Sequence, residues 1–175
     1  MNSGNEFKAL GLLAGVAFGV LVTLVLLRLI NKNRSLKTEY DEMQQMVRGR
    51  AYMYGFYTIL VFEAIMGIVE TIGPIPAEPL VKHFLGIALG VTVQAVYSIW
   101  NDAYIGLNTE RGRYGITMVF IGLVNFVMAV FAWKEGRMVI NGVLQPSFAN
   151  FLVFLMFVVI GTAFFLKRSA KREED

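Results

Sequence analysis

Two carboxylates, Glu63 and Glu70, stand seven residues apart inside the apolar run AYMYGFYTILVFEAIMGIVETI, residues 51–72. Seven residues is nearly two helical turns, so both side chains fall on roughly one face of a helix. A carboxylate in such apolar surroundings is costly and marks a candidate site by default, as a cation ligand or a carrier of protons. By residue counting, Gln94 and Asn125 reach a similar depth in two later apolar runs. Glu63, Gln94 and Asn125 could therefore form one polar layer, with Glu70 extending it toward a surface. The competing reading, which we prefer, is structural: a neutral glutamate joins helices through hydrogen bonds, an ordinary kind of glue in lipid. Glu70 lies close enough to the end of its run to be solvated there. A transporter is expected to carry interrupted helices and a repeated half, and neither is evident in this sequence.

A second constellation joins Asp41, Glu42, Gln44, Arg48 and Arg50, in DEMQQMVRGR, to Asp102 and Asn108, in NDAYIGLN. Asp102 is expected at the level of Arg48, Arg50, Arg111 and Arg113, where a charge pair would fix one apolar helix against the next. The functional version of this pattern is a docking surface for a protein partner.

The residues needed for common enzyme chemistry are missing. The chain has one histidine, His83, and no cysteine. This excludes His-ligated and thiolate metal sites, disulfides and cysteine nucleophiles. No G-x-S-x-G elbow and no phosphate-cradling glycine loop occurs. We expect no enzymatic activity, cofactor or metal.

Those side chains are positioned by long apolar segments. Of 175 residues, 56% are hydrophobic and 17% charged, where a soluble domain would carry about 25% charged residues. The apolar residues gather into five runs, about 9–30, 51–72, 81–107, 115–133 and 148–166, each near the roughly 20 residues that cross a bilayer as a helix. The expected fold is all-α: one transmembrane domain, a bundle of five spanning helices. The first run is too long for a secretory signal and ends in basic residues, so it is expected to be retained. Gly11, Gly15 and Gly19 in the first run, and Gly86 and Gly90 in the third, recur every four residues, a spacing that lets helix backbones approach closely in lipid. Asp41 with Gln44 three residues later resembles a capping box. It predicts an interfacial helix that starts near residue 41 and continues into the second run. The prolines of GPIPAEP end that run, and Pro79 is suited to open the next helix. Near 137–145, Asn141-Gly142 stands between Val139-Ile140 and Val143-Leu144, a strong signal for a small β-hairpin.

Counting Arg28 at the end of the first run, twelve of the sixteen lysines and arginines fall in the segments after the first and third runs and in the tail. Because basic residues stay on the cytoplasmic side, the N-terminus is expected outside and the C-terminus inside, with the hairpin extracellular. Flanking the spans as they do, the basic clusters are explained by topology and anionic lipid. Nucleic-acid binding is not expected; the expected partners are the lipid bilayer and a protein on the cytoplasmic face.

The segments YDEMQQMVRGRAYMYGFYT and SIWNDAYIGLN together resemble a family of small multi-pass membrane proteins from Gram-positive gut bacteria. That family carries a DE-x-Q…RG(K/R) lead-in before one span and a DAY-(F/I)-x-LN ending on the next. Asp41, Glu42, Gln44, Gly49, Arg50, Asp102, Ala103, Tyr104 and Asn108 match this pattern, and Met43 departs from the basic residue at its position. The resemblance covers about a third of the chain and implies a bacterial plasma membrane without implying an activity.

Overall fold

The computed structural model describes residues 3–173, with side chains from Leu10 to Ala170 except those of Leu12 and Val16. The side chains of Lys8, Lys171 and Arg172, which enter the orientation argument, lie outside the described residues. The helices are α1 (Ser3–Ile30), α2 (Glu42–Ile72), α3 (Pro79–Trp100), α4 (Arg111–Lys134) and α5 (Ala149–Glu173), with strands β1 (Val139–Ile140) and β2 (Val143–Leu144) between the last two. Among the described residues, five helices are long and apolar enough to cross a bilayer, which fits a multi-pass membrane protein. The interfacial lead-in and the second span form the single helix α2. Asp41 caps it by accepting a hydrogen bond from the Gln44 amide at 2.7 Å. The third span differs from expectation, because its helix stops at Trp100 and residues 101–110 are turns and irregular backbone, with Thr109 bridged to Asn31.

The chain divides into two compact units. One comprises residues 40–105 and 118–175, the other residues 1–39 and 106–117.

In the larger unit α2 packs on α3, and α3 packs on α5. Most of what these helices bury is small (Ala51, Gly55, Gly86, Ala88, Gly90, Ala95, Ser98, Gly122, Ala129, Ala132 and Ala163), with Val81, Ile99, Leu152 and Ile160 as the larger exceptions. What they expose is large and apolar, including Phe56, Leu60, Ile65, Ile68, Phe120, Leu123, Phe131 and Phe165. That inverts the pattern of a water-soluble core. It matches helices in lipid, where close packing of small residues replaces the hydrophobic drive between helices.

The α2–α3 seam is the tightest contact. A Cβ on Gly90 would lie 2.7 Å from the Gly55 carbonyl oxygen and 2.5 Å from Ile59 Cγ1, and one on Gly86 would lie 2.6 Å from Phe62. Between α3 and α5, Ala95, Ile99, Ile160 and Ala163 form a buried cluster edged by Tyr104 and Phe164, whose rings meet edge-on at 5.4 Å. The α4 residues Gly122 and Phe126 rest on Phe157 and Phe154 of α5.

The expected hairpin is present, with Val139 opposite Leu144 and Ile140 opposite Val143. Asn141 and Gly142 have φ of 50° and 79°, the positive values that a two-residue turn of this kind requires. The α2–α3 loop continues the sheet: the Leu144 amide donates to Pro76 and the Glu78 amide donates to Leu144, each at 2.9 Å. That pairing gives the hairpin the support an isolated two-stranded ribbon lacks.

In the smaller unit the last turn of α1 and residues 31–39 are pinned to residues 106–113. Lys32 donates to the Asn108 carbonyl at 2.7 Å, Glu110 to Ile30 at 3.0 Å and Leu107 to Glu39 at 2.8 Å. Gly11, Gly15 and Gly19 are exposed on α1, and a Cβ at any of them would meet no described atom within 4 Å.

Candidate functional site

Glu63 and Glu70 both find bases on the first turns of α3. His83 Nδ1 lies 3.0 Å from Glu63 Oε2, and Lys82 pairs with Glu70 Oε1. The local backbone explains this. α2 ends at Gly73 and Pro79 opens α3, so the returning helix carries Lys82-His83 back along the glutamate face of α2. Gly86, one turn beyond Lys82, leaves space for the carboxylate, since a Cβ there would sit 3.0 Å from Glu63 Oε1. The Glu63 side chain is 36% exposed and that of His83 65%. The arrangement is a carboxylate–imidazole pair open on one side, beside a carboxylate–ammonium pair. Chemically it can hold or pass a proton, and with both pairs ionised it carries no net charge.

The polar layer drawn by counting does not assemble. Gln94 lies against Gly55, two turns along α2 from Glu63. Asn125 turns its amide back to the Ile121 carbonyl of its own helix at 2.9 Å.

At the opposite end of the seam, the chain leaves α3 through a left-handed residue, Asp102, with φ of 57°. The Ala103 amide reaches back to Ser98 and that of Asp102 to Ile99, the double closure of a Schellman turn. Lys167 of α5 completes it. Its ammonium donates to the Ile99 carbonyl at 2.6 Å and that of Trp100 at 3.0 Å, and meets Asp102 Oδ1 at 2.7 Å. All three of its protons are used, its side chain is only 12% exposed, and its charge sits where helix carbonyls converge.

Gln44 and Arg48, one turn apart on α2, hold the segment that follows. Gln44 Nε2 donates to the carbonyls of Asp102 and Ile105 at 2.9 and 3.3 Å, while its buried Oε1 has no partner among the described residues. Arg48 lies over the Tyr40 ring at 4.0 Å and donates to the Tyr52 hydroxyl at 2.5 Å. Asp102 thus pairs with a lysine of the tail, and Arg48 serves the Ala103 carbonyl, at 3.5 Å, and two aromatic rings. Of the candidate surface residues on α2, Asp41, Gln44 and Arg48 serve the fold, while Glu42 and Arg50 stay exposed beside Met43 and Met46.

Asn108 is 8% exposed. Its Oδ1 accepts from the Glu39 amide at 2.9 Å, and its Nδ2 donates to the Lys37 carbonyl at 3.0 Å and to Asn33 Oδ1 at 3.3 Å. Beside it, buried Thr109 donates to buried Asn31 Oδ1 at 3.1 Å. Sequence reasoning missed Lys167, Asn31 and Thr109. The only signal was polar residues (Asn31 and Asn33) following directly on an apolar run.

No protein-family model, curated protein or solved structure matches the chain. Its chemistry is read from its own residues.

Proposed function

We propose that this chain is a multi-pass protein of a bacterial plasma membrane, with its N-terminus outside and C-terminus inside. It has no enzymatic activity and acts as a structural or regulatory component through protein contacts on its cytoplasmic face. The observation that carries this reading is how the ionic groups are used. Glu63, Glu70 and Asp102 each meet a base of the same chain, while Glu42, Met43, Met46 and Arg50 on the first turns of α2 remain exposed. A photo-crosslinking residue at Met43 or Met46 in native membranes is expected to yield a discrete protein adduct that Arg50→Glu weakens. A probe at Leu60, mid-helix, is expected to give lipid adducts only. Lipid adducts alone from all three positions would remove the reading.

One contact favours a second reading, in which the protein moves protons. The Glu63–His83 pair is open on one side, and Glu/His chains are a recurrent form of proton relay in membranes. In proteoliposomes containing a pH-sensitive dye, an imposed potential would then drive proton uptake that Glu63→Gln and His83→Gln abolish. Wild-type vesicles no leakier than empty ones would eliminate it.

A further inference from the structure

The β1–β2 ribbon presents an apolar edge that the fold leaves uncovered. β2 lies between β1 and residues 76–78, and its side chains are half-buried. β1 is the outer strand, and Val139 and Ile140 are 50% and 49% exposed. Neighbouring strand residues point to opposite faces, so both faces of this edge are apolar. The end of α4 that leads into the ribbon is also apolar and exposed: Phe131 is exposed and Trp133, six residues before Val139, is 72% exposed.

The ladder decides between two kinds of occupant. The Gln145 amide donates to the Met138 carbonyl across the ribbon at 2.8 Å. In antiparallel alternation, Val139 and Leu144 are then a pair whose amides and carbonyls face away from each other. Those of Leu144 are taken by Pro76 and Glu78. Only Val139 offers an outward amide and carbonyl, one residue's worth of free edge. That is too little to add a strand from another protein, which needs a row of such groups. A lipid surface needs no backbone partner. It also sets the depth, because the free peptide groups of Val139 must stay hydrated at headgroup level while the side chains enter the acyl boundary. Exposed Trp133 and Lys134, at the end of α4, are the residue types that occupy that level.

We propose that the β1 edge of the hairpin is a lipid-binding element, with Val139 and Ile140 inserted at the headgroup–acyl boundary of the leaflet that α4 leaves at Trp133. The proposal rests on the membrane reading above, and its test separates the two. The chain has no cysteine, so Val139→Cys, Ile140→Cys, Val127→Cys and Glu42→Cys each provide one labelling site. Each variant carries an environment-sensitive fluorophore and is reconstituted in phosphatidylcholine–phosphatidylglycerol vesicles with iodide on both sides. Labels at 139 and 140 are expected to show about threefold weaker iodide quenching than the label at 42, and strong quenching by a spin label near the headgroup. The label in mid-α4 at 127 is expected to respond to a spin label deep in the acyl chain. Full iodide quenching at 139 and 140, or shielding from iodide and lipid quencher alike, would overturn the hairpin proposal while a lipid-quenched 127 preserves the membrane reading. Iodide quenching at 127 as well would overturn both.

Discussion

Replacing Gly90 by alanine should loosen the α2–α3 seam. The added methyl would lie 2.7 Å from the Gly55 carbonyl oxygen, and van der Waals contact for a Cβ begins near 3.4 Å. The two backbones must therefore separate by about 0.7 Å, or α3 must rotate, because a carbonyl in a helix cannot turn aside as a side chain can. Overpacking of this kind costs about 1–3 kcal/mol. We expect at least the middle of that range, about 2 kcal/mol, since Ile59 Cγ1 also stands 2.5 Å from the new atom. That lowers the folded-to-unfolded ratio by a factor of roughly 30. The comparison is Gly67→Ala in α2, where a Cβ meets no described atom within 4 Å and which should not destabilise the protein. Reversible unfolding in mixed micelles, followed by tyrosine fluorescence and far-ultraviolet circular dichroism, measures both. The argument is refuted if Gly90→Ala unfolds at the same denaturant fraction as wild type and Gly67→Ala.

Lys167→Met, which keeps the stem and removes three donors, should cost about 2–3 kcal/mol in the same unfolding assay. Asp102→Asn, which alters only a solvent-exposed partner, should cost about 1 kcal/mol or less. Equal losses for the two would mean that the ion pair matters and the carbonyl contacts do not. Asn108→Ala leaves the Glu39 amide and the Lys37 carbonyl without their partner and should cost about 2 kcal/mol of local stability. Faster hydrogen exchange at the Glu39 amide, with the amides of α3 unchanged, is the expected signature, and unaltered protection at Glu39 would refute it.

Features written in consecutive residues were legible. Asp41 and Gln44 announce the start of α2, and Asn141-Gly142 between β-branched residues announces the hairpin, because each depends on backbone geometry within four residues. Apolar length gave the five helices, although it overran α3. A left-handed Asp102 ends that helix before the apolar composition changes. The partners of Glu63 and Glu70 were not found, because depth was counted along each run separately. Counting back from the GPIPAEP turn would have brought Lys82 and His83 to the glutamate face and carried Gln94 toward Gly55. Lys167 was hidden for a different reason. A lysine after the last span is fully accounted for by topology, and nothing local says that its ammonium closes another helix. Asn108 stood out by its pattern, but whether an asparagine faces a partner or is buried against Glu39 depends on contacts across 69 residues of sequence.

The cap on α3 also has a temporal side. Its closing cation lies 68 residues downstream of the Ile99 carbonyl it binds. A ribosome adding about 5–20 residues per second delivers it roughly 3–14 s later. Until then the Trp100 carbonyl lacks this donor and the Ile99 carbonyl keeps its bond from the Asp102 amide without the ammonium, and truncation anywhere before residue 167 makes that condition permanent. Removing α5 therefore strips the end of α3 of a hydrogen-bond donor as well as a packing neighbour.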